Sequence, residues 1–285
     1  MRIVVMGSGG TGGYFGAKLA RAGEDVTFVA RGKHLEAIRA LGLRVRSAID
    51  GEWTVTAPAV ERLDGLAPAD LVLFCVKAFD TEAAAKAIRP VVGPDTGVLS
   101  IQNGVDNEDA LARILGPGHV LGGAAQVFTT IEAPGVIVHT VLGRIVFGEM
   151  DGRDTPRARG FLDACRRASI PAEISGDIMR TLWEKYVMIV AHSGMTAVTR
   201  CPAGVIRALP ASRRMYRLLL EEMVGLARAA GAGVEGAVVD AVMGILDSQP
   251  GGFYSSLGHD LTHGKRLELE TLQGHAVRLG ERYGV

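Results

Sequence analysis

The stretch that decides the fold is Arg2-Ile3-Val4-Val5-Met6-Gly7-Ser8-Gly9-Gly10-Thr11-Gly12. Its apolar, β-branched first half predicts a short strand, and the pattern Thr11–Arg21 that follows predicts a helix. Between them, Gly7 permits a tight turn, Gly9 lets a phosphate approach the backbone, and Gly12 lets the helix pack against the strand. The free amides of the helix N-terminus would attract a phosphate. The pattern therefore predicts a dinucleotide-binding βαβ unit, with the loop residues Gly7, Ser8, Gly9, Gly10, Thr11 and Gly12 as cofactor ligands.

The residue after the second predicted strand, Val26–Ala30, distinguishes between the two nicotinamide cofactors. NAD enzymes usually carry Asp or Glu there, which binds the ribose 2′-hydroxyl. This chain has Arg31 and Lys33 and no acid. A guanidinium can hold a 2′-phosphate with paired hydrogen bonds, whereas a carboxylate would repel it. We therefore expect NADPH/NADP+ as the cofactor and Arg31 as a ligand.

The rest of the first half alternates strand and helix patterns. Leu71–Val76 and Val98–Ile101 are strands apolar on both faces, as in a parallel sheet covered by helices, and Thr81–Ile88 is a helix between them. Val120–Phe128 and Val136–Phe147 look like antiparallel strands that complete the sheet.

From Asp177 onward, helical patterns replace the strands, over Asp177–Ala191, Ser212–Ala230, Val234–Asp247 and Gly264–Leu279. The predicted fold class is α/β, with an N-terminal Rossmann-type dinucleotide-binding domain followed by an all-helical C-terminal domain. We expect the first to span residues 1–175 and the second, a substrate and catalytic domain, residues 176–285.

Composition excludes some partners. The formal net charge is zero, so nothing favours nucleic acid or an anionic membrane, and no apolar run approaches the ~18 residues of a membrane helix.

Three widely spaced cysteines suit reduced thiols in the cytoplasm. His259 and His263 have a helical metal-ligand spacing, but no third ligand is evident, and we expect no metal.

The segment Leu182–Ala191 is apolar almost all round yet contains Lys185. A buried lysine with a lowered pKa is a plausible proton donor for a reaction that creates an alkoxide. A lysine that extends to the surface and forms a salt bridge at the helix end explains the pattern equally well.

Several motifs along the chain are similar to those of the ketopantoate reductases (2-dehydropantoate 2-reductases). They are Val76-Lys77-Ala78-Phe79, Gln102-Asn103-Gly104, Leu182-Trp183-Glu184-Lys185, Cys201-Pro202-Ala203-Gly204, Ser255-Ser256-Leu257-Gly258-His259-Asp260, and Glu268 ahead of Gly274.

This resemblance implies an NADP-dependent oxidoreductase that reduces ketopantoate to pantoate, a step of pantothenate and coenzyme A synthesis. Lys185 would be the general acid, and Glu268 would orient it and bind a substrate hydroxyl. Ser256 would hold the substrate carboxylate. Asn103 would lie beside the nicotinamide, the lysine and the substrate, and Lys77 would approach the cofactor. The family includes monomers and dimers, so a homodimer is one outcome it allows.

Several asparagines that line the family's substrate pocket are replaced here, by Ile189, Ser193, Ala203 and Phe253. Losing amides should weaken binding of a polyhydroxy acid. Polar neighbours could substitute for them, and Ser193 is the one we assign to the substrate. A more apolar 2-oxo acid is the alternative substrate.

Two rival classes remain open at this point. The 3-hydroxyacid dehydrogenases share the plan of two domains, but they place Asn one turn after the catalytic lysine, where this chain has Ile189. A non-catalytic NADPH-binding regulatory protein is the second alternative, against which the retained Lys185 and Glu268 argue.

Overall fold

The computed structural model describes all 285 residues, Met1–Val285. The chain divides into two compact units, Met1–Gln102 with Asp106–Ile178, and Asn103–Val105 with Met179–Val285. The first holds the sheet and the second is helical, which confirms the predicted fold class. We keep a domain boundary after residue 175 as a proposal. None of the helices combines the length and the apolar character that crossing a membrane requires.

The first unit contains ten strands and five complete helices. The strands are β1 (Arg2–Met6), β2 (Asp25–Val29), β3 (Leu43–Ser47), β4 (Gly51–Val55), β5 (Ala59–Val60), β6 (Leu71–Phe74), β7 (Gly97–Ser100), β8 (Val120–Ala133), β9 (Val136–Glu149) and β10 (Ala172–Ile174). The helices are α1 (Gly10–Arg21), α2 (Gly32–Leu41), α3 (Thr81–Ala87), α4 (Asn107–Leu115) and α5 (Pro156–Arg167).

All ten strands belong to one sheet, in the order β4-β3-β9-β8-β7-β6-β1-β2-β5, with β10 paired to β9. The strands from β8 to β5 in this order are parallel, and β8 and β9 form the long antiparallel pair predicted to complete the sheet. Met6 is in register with Phe74, and Phe74 with Ser100. The carboxyl ends of β1, β6 and β7 therefore lie side by side at one edge, where folds of this class bind ligands.

Alternate side chains of the central strands enter two hydrophobic cores. Ile3 and Val5 belong to one core with residues of α1, α2 and α5, whereas Val4 and Met6 belong to the other with residues of α3 and α4. This is the doubly covered sheet that the continuous apolar runs predict.

A partly buried polar network secures α1, the helix that the glycine loop opens. Lys18, 9% exposed, donates to Asp50 at 2.9 Å, and Tyr14 donates to the same carboxylate at 3.2 Å. The ring of His139 on β9 stacks on Tyr14 with 4.1 Å between centroids. Hydrogen bonds from Lys18 and Tyr14 outweigh desolvation and lower the pKa of Asp50. The network joins α1 to the β3–β4 turn and to β9.

The second unit consists of α6 (Ile178–Thr199, whose first residue belongs to the first unit), α7 (Ala203–Ala208), α8 (Pro210–Ala229), α9 (Ala237–Ser248), α10 (Ser256–Thr262) and α11 (Gln273–Tyr283). Tyr216, Leu220, Met223, Val224 and Ala227 form the buried stripe of α8 at helical spacing. α8 packs against α7, α9 and α11 and so lies at the centre of this unit.

The predicted helix Gly264–Leu279 is wrong in its first half. Gly264 has a φ of +64°, a left-handed conformation that ends α10. The Gly264 amide donates to Leu261 O and the Lys265 amide to Asp260 O, which closes the helix end. α11 begins only at Gln273, so Glu268 lies in the irregular segment that connects α10 to this helix.

Candidate active site

The glycine loop has the geometry that the sequence predicts. Gly7 has a φ of +96°, and a Cβ on it would lie 2.8 Å from the Val76 nitrogen. A Cβ on Gly12 would overlap the Gly7 carbonyl oxygen. Gly9 is the N-cap of α1 and supplies no side-chain cap, and a Cβ there would meet only Ile131 at 4.0 Å. The loop thus has no side chain at Gly9 beside the first amides of α1, as close approach of a pyrophosphate requires, whereas Gly10 packs against Thr129.

His34 holds this loop and was missed by the sequence analysis. Its Nε2 donates to the Ser8 carbonyl oxygen at 2.8 Å, and its Nδ1 accepts from the Gly135 amide at 3.0 Å. A carbonyl on one side and an amide on the other assign the neutral tautomer with hydrogen on Nε2. His34 therefore links the glycine loop, α2 and the β8–β9 turn.

Arg31 is exposed and is the N-cap of α2, two residues after the end of β2. Lys33 is exposed on the first turn of the same helix. The carboxyl end of β2 lies beside that of β1, since Met6 is in register with Val29. Arg31 and the glycine loop thus follow neighbouring strands at one edge of the sheet, where one dinucleotide could contact both.

Lys77 and Asn103 follow β6 and β7 respectively. Lys77 is exposed and precedes a 3₁₀ turn, Ala78–Asp80. Asn103 comes three residues after the end of β7 and groups with the second unit.

Buried hydrogen bonds join the segments after β6 and β7. The Gln102 amide donates to the Val76 carbonyl at 2.8 Å and to the Thr81 hydroxyl at 2.9 Å. The Thr81 hydroxyl donates in turn to Asn107 Oδ1 at 3.2 Å.

Lys185 is partly buried on α6. Its neighbours Trp183, Tyr186 and Val187 are at most 5% exposed, so most of this turn faces protein. The Tyr186 hydroxyl donates to the Leu272 carbonyl at 2.7 Å, and the Leu272 amide donates to the Glu268 carbonyl at 3.0 Å. These bonds tie the turn of α6 that carries Lys185 to the segment that carries Glu268.

Glu268 is only 6% exposed. Its backbone carbonyl also accepts from the Thr271 hydroxyl at 3.1 Å. Glu268 is therefore not an exposed charge on a helix surface. Carboxylates are rarely buried unless they are paired. The structure places both proposed catalytic residues, Lys185 and Glu268, in the second unit.

The two serines predicted to contact substrate have different environments. Ser193 is 2% exposed; its hydroxyl donates to Ile189 O at 2.6 Å and accepts from Gln273 at 2.7 Å. Ser256 is exposed on the first turn of α10. The cap of this helix is Ser255, which accepts from the Gly258 amide at 2.9 Å. The hydroxyl of Ser256 is therefore not used as the helix cap.

Gln273 is a second residue that the sequence analysis missed. Its amide nitrogen donates to Ser193 and to the Val190 carbonyl, at 2.7 and 3.1 Å. Its Oε1 is buried without a hydrogen-bond partner in the protein. A side-chain amide beside α6 is the type of group that the replaced asparagines would have supplied.

His192 is buried on α6. Its ring lies 5.7 Å from that of Phe253 and 6.0 Å from that of Tyr216, measured between centroids. Burial lowers the pKa of His192 to about 4, so the imidazole is neutral near pH 7. The environment of α6 around His192 is thus apolar and aromatic.

No cluster of three or more His, Cys, Asp or Glu side chains that could bind a metal ion occurs in the structure. The rings of His259 and His263 stack on each other with 4.0 Å between centroids. All three cysteines are free thiols.

A strand–glycine loop–helix unit in a doubly covered parallel sheet defines a dinucleotide-binding protein, here with a helical second unit. Residues 3–152 match the family described as "Ketopantoate reductase PanE/ApbA", and residues 177–285 match its C-terminal counterpart. The chain belongs to the ketopantoate reductase family, whose members use a nicotinamide dinucleotide and act on a CH–OH group.

Relatives support this assignment over the full length. The chain is 35% identical to a 2-dehydropantoate 2-reductase of Archaeoglobus fulgidus, over 100% of this chain and 92% of that protein. A crystal structure of the 2-dehydropantoate 2-reductase of Geobacter metallireducens is 33% identical, has a TM-score of 0.94, and is matched over 100% of this chain and 95% of its own.

A more distant structure has the same fold. The ternary structure of a D-mandelate dehydrogenase with NADH and anilino(oxo)acetate has a TM-score of 0.91 at 21% identity, over 100% of this chain and 93% of its own. At that identity the likeness concerns the fold alone.

Proposed function

We propose that the protein reduces 2-dehydropantoate to pantoate with NADPH. The observation that carries the proposal is Lys185, a partly buried lysine on an otherwise well-packed helix, in the same unit as the buried carboxylate of Glu268. Its relatives' names support the substrate. In the cell this reaction would serve pantothenate and coenzyme A synthesis in the cytoplasm.

The residues of the glycine loop fit a dinucleotide, because Gly7 makes the tight turn at positive φ and Gly9, the N-cap of α1, has no side chain to obstruct a phosphate. Arg31 would bind the 2′-phosphate with its exposed guanidinium. Lys77 would bind from the end of β6, and Asn103 from the segment after β7. When bound, NADPH would supply the hydride that reduces the carbonyl carbon.

The residues of the chain would deliver a proton to the substrate and would hold the proton donor, Lys185, in place. Lys185 would donate a proton from its ammonium group to the carbonyl oxygen as the C–O bond becomes a hydroxyl, and would regain it from solvent. Glu268 would orient Lys185 and accept a hydrogen bond from a substrate hydroxyl. Ser256 would donate to the carboxylate, while Ser193 would bind substrate only with its remaining acceptor capacity.

The test is a Lys185→Ala variant assayed with 2-dehydropantoate and NADPH. Loss of a general acid typically costs about 10²- to 10⁴-fold in kcat, and we expect a decrease in this range. NADPH affinity, followed by nicotinamide fluorescence, should change little. Lys86→Ala, which removes an exposed lysine on α3, is the control and should keep full activity. Undiminished activity in Lys185→Ala would exclude the proposed proton donor.

A more apolar 2-oxo acid is a second candidate substrate, favoured by the environment of His192. Ile189 and Phe253 replace amides, and the neutral His192 ring lies near the rings of both Phe253 and Tyr216. Such a lining would bind an alkyl or aryl tail better than hydroxyls. A higher kcat/KM for phenylpyruvate or 2-oxoisovalerate than for 2-dehydropantoate would favour this candidate.

A further inference from the structure

Thr81 occupies a junction in the first unit that the reaction as proposed does not use. It is the first residue of α3, and Asn107 is the first residue of α4. Their side chains meet at 3.2 Å, with the Thr81 hydroxyl donating. The same hydroxyl accepts from Gln102 at 2.9 Å. One hydroxyl thus joins the N-termini of two helices to the segment that follows β7.

The three side chains are buried, and each hydrogen bond between them joins a donor to an acceptor, although Gln102 Oε1 is buried without a hydrogen-bond partner. Thr81, Gln102 and Asn107 are 4%, 6% and 3% exposed. The Gln102 amide donates one hydrogen to the Thr81 hydroxyl and the other to the Val76 carbonyl. The Thr81 hydroxyl has one hydrogen, which it gives to Asn107. Each bond fixes the direction of the next, so the cluster has one orientation and not several.

Gln102 directly precedes the segment Asn103–Val105, and Asn107 follows it after one intervening residue. Both ends of this short segment are therefore held through Thr81. Val76, which receives the other Gln102 bond, directly precedes Lys77. The Thr81 cluster, defined as Val76, Thr81, Gln102 and Asn107, holds the backbone next to both Lys77 and Asn103.

We propose that Thr81 is a positioning residue for the reductase reaction, acting through Gln102 and Asn107 on Asn103. This inference rests on the proposed function, in which Asn103 lies beside the nicotinamide. Misplacing a group by about 1 Å can cost on the order of 10²-fold in rate. The effect should appear mainly in kcat, because the Thr81 hydroxyl bonds to Gln102 and Asn107, on either side of Asn103, whereas the glycine loop approaches the cluster at Val76, which Gln102 and not Thr81 contacts.

The test compares Thr81→Val with Thr81→Ser and with a matched control. Thr81→Val keeps the shape and removes the hydroxyl, and Thr81→Ser keeps the hydroxyl. The control is Thr96→Val. Thr96 is 2% exposed, donates to Ala69 O at 2.6 Å and accepts from the Gly93 amide at 2.9 Å, at the opposite end of β7. Both valine variants should lower the melting temperature similarly.

We expect Thr81→Val to lower kcat about 10- to 100-fold, with NADPH affinity within about threefold of the wild type. Thr81→Ser and Thr96→Val should stay within about threefold of the wild-type kcat. Equal kcat values for the two valine variants, or a Thr81→Ser variant as slow as Thr81→Val, would overturn the proposal.

Hydrogen–deuterium exchange of the peptide that contains residues 103–107 separates this proposal from the proposed function. Thr81→Val should accelerate exchange in that peptide, and Thr96→Val should not. If the wild type reduced no 2-oxo acid, the proposed function would fail, while the exchange comparison would still decide whether Thr81 holds the segment. Unchanged exchange in Thr81→Val would overturn the positioning role.

Discussion

At the scale of a single residue, we propose that Arg31 selects NADPH over NADH. It is exposed at the carboxyl end of β2, where a 2′-phosphate would be recognised. Charged hydrogen bonds contribute about 1.5–3 kcal/mol, so Arg31→Ala should raise the Kd for NADPH about 10- to 100-fold and leave the Kd for NADH nearly unchanged. Fluorescence titration of both cofactors measures this difference. An equal loss of affinity for NADH would contradict the assignment of Arg31 to the phosphate.

Arg62→Ala is the matched control for that titration. Arg62 is an exposed arginine of the same unit, paired with Asp64 at 2.9 Å. Its removal should leave both affinities unchanged.

His192 makes stability depend on pH. Burial lowers its pKa from 6.5 to about 4. Below pH 6.5 the unfolded chain takes up a proton that the folded protein does not, so stability falls as pH decreases from 6.5 to 4. The loss should amount to about 3 kcal/mol over this window.

Chemical denaturation of the wild type and of His192→Gln at pH 7.5, 5.5 and 4.5 tests this dependence. The variant should be less stable at pH 7.5 but should lose less of its stability on acidification. Identical pH dependence in both proteins would show that His192 does not titrate in the predicted way.

For single residues, the sequence predicted a role correctly where that role depends on adjacent residues in the chain. Gly7 follows a strand and needs a positive φ, which the motif itself indicates. His34 and Gln273 act through partners 26 and 80 residues away, and no local pattern specifies such contacts. Ser193 was predicted as a substrate ligand from its position, and its bonds to Ile189 and Gln273 become visible only in the structure.

At the scale of elements, the start of α10 separates a structural serine from a proposed functional one. Ser255 caps the helix and also pairs with Thr196 at 2.6 Å. Ser255→Ala should therefore lower the free energy of unfolding by about 1–2 kcal/mol. Ser256→Ala, which changes the exposed neighbour, should cost less than about 0.5 kcal/mol but should raise the KM for the oxo acid. Denaturation curves and steady-state kinetics of both variants test this division. A stability loss in Ser256→Ala together with a raised KM in Ser255→Ala would contradict it.

Helix α6 shows why element boundaries were harder to predict than element types. The pattern predicted Asp177–Ala191, and the helix continues to Thr199. Ser193, Thr196 and Thr199 are accommodated in the helix, where their hydroxyls donate to carbonyls four residues earlier, although such residues disfavour a helix by local pattern. Near the end of the chain the apolar spacing was misleading, since Gly264 at positive φ belongs to the end of α10 and the next helix begins only at Gln273.

For the whole molecule, the sequence predicted both the α/β unit and the helical unit, because strand and helix periodicities separate cleanly near residue 177. It did not predict β3, β4, β5 or β10. These are short strands, and β3 and β10 pair with β9, far away in sequence. Family membership follows from the motifs and is confirmed by the full-length matches.

The most direct test of the central claim is a steady-state assay of the wild-type protein with NADPH and 2-dehydropantoate, in which NADPH oxidation and pantoate formation are both quantified. We predict one pantoate per NADPH consumed and a kcat/KM with NADPH well above that with NADH. The same assay with phenylpyruvate and 2-oxoisovalerate places 2-dehydropantoate among other 2-oxo acids. NADPH binding without oxidation by any of these acids would contradict the claim that this protein is a 2-oxo acid reductase.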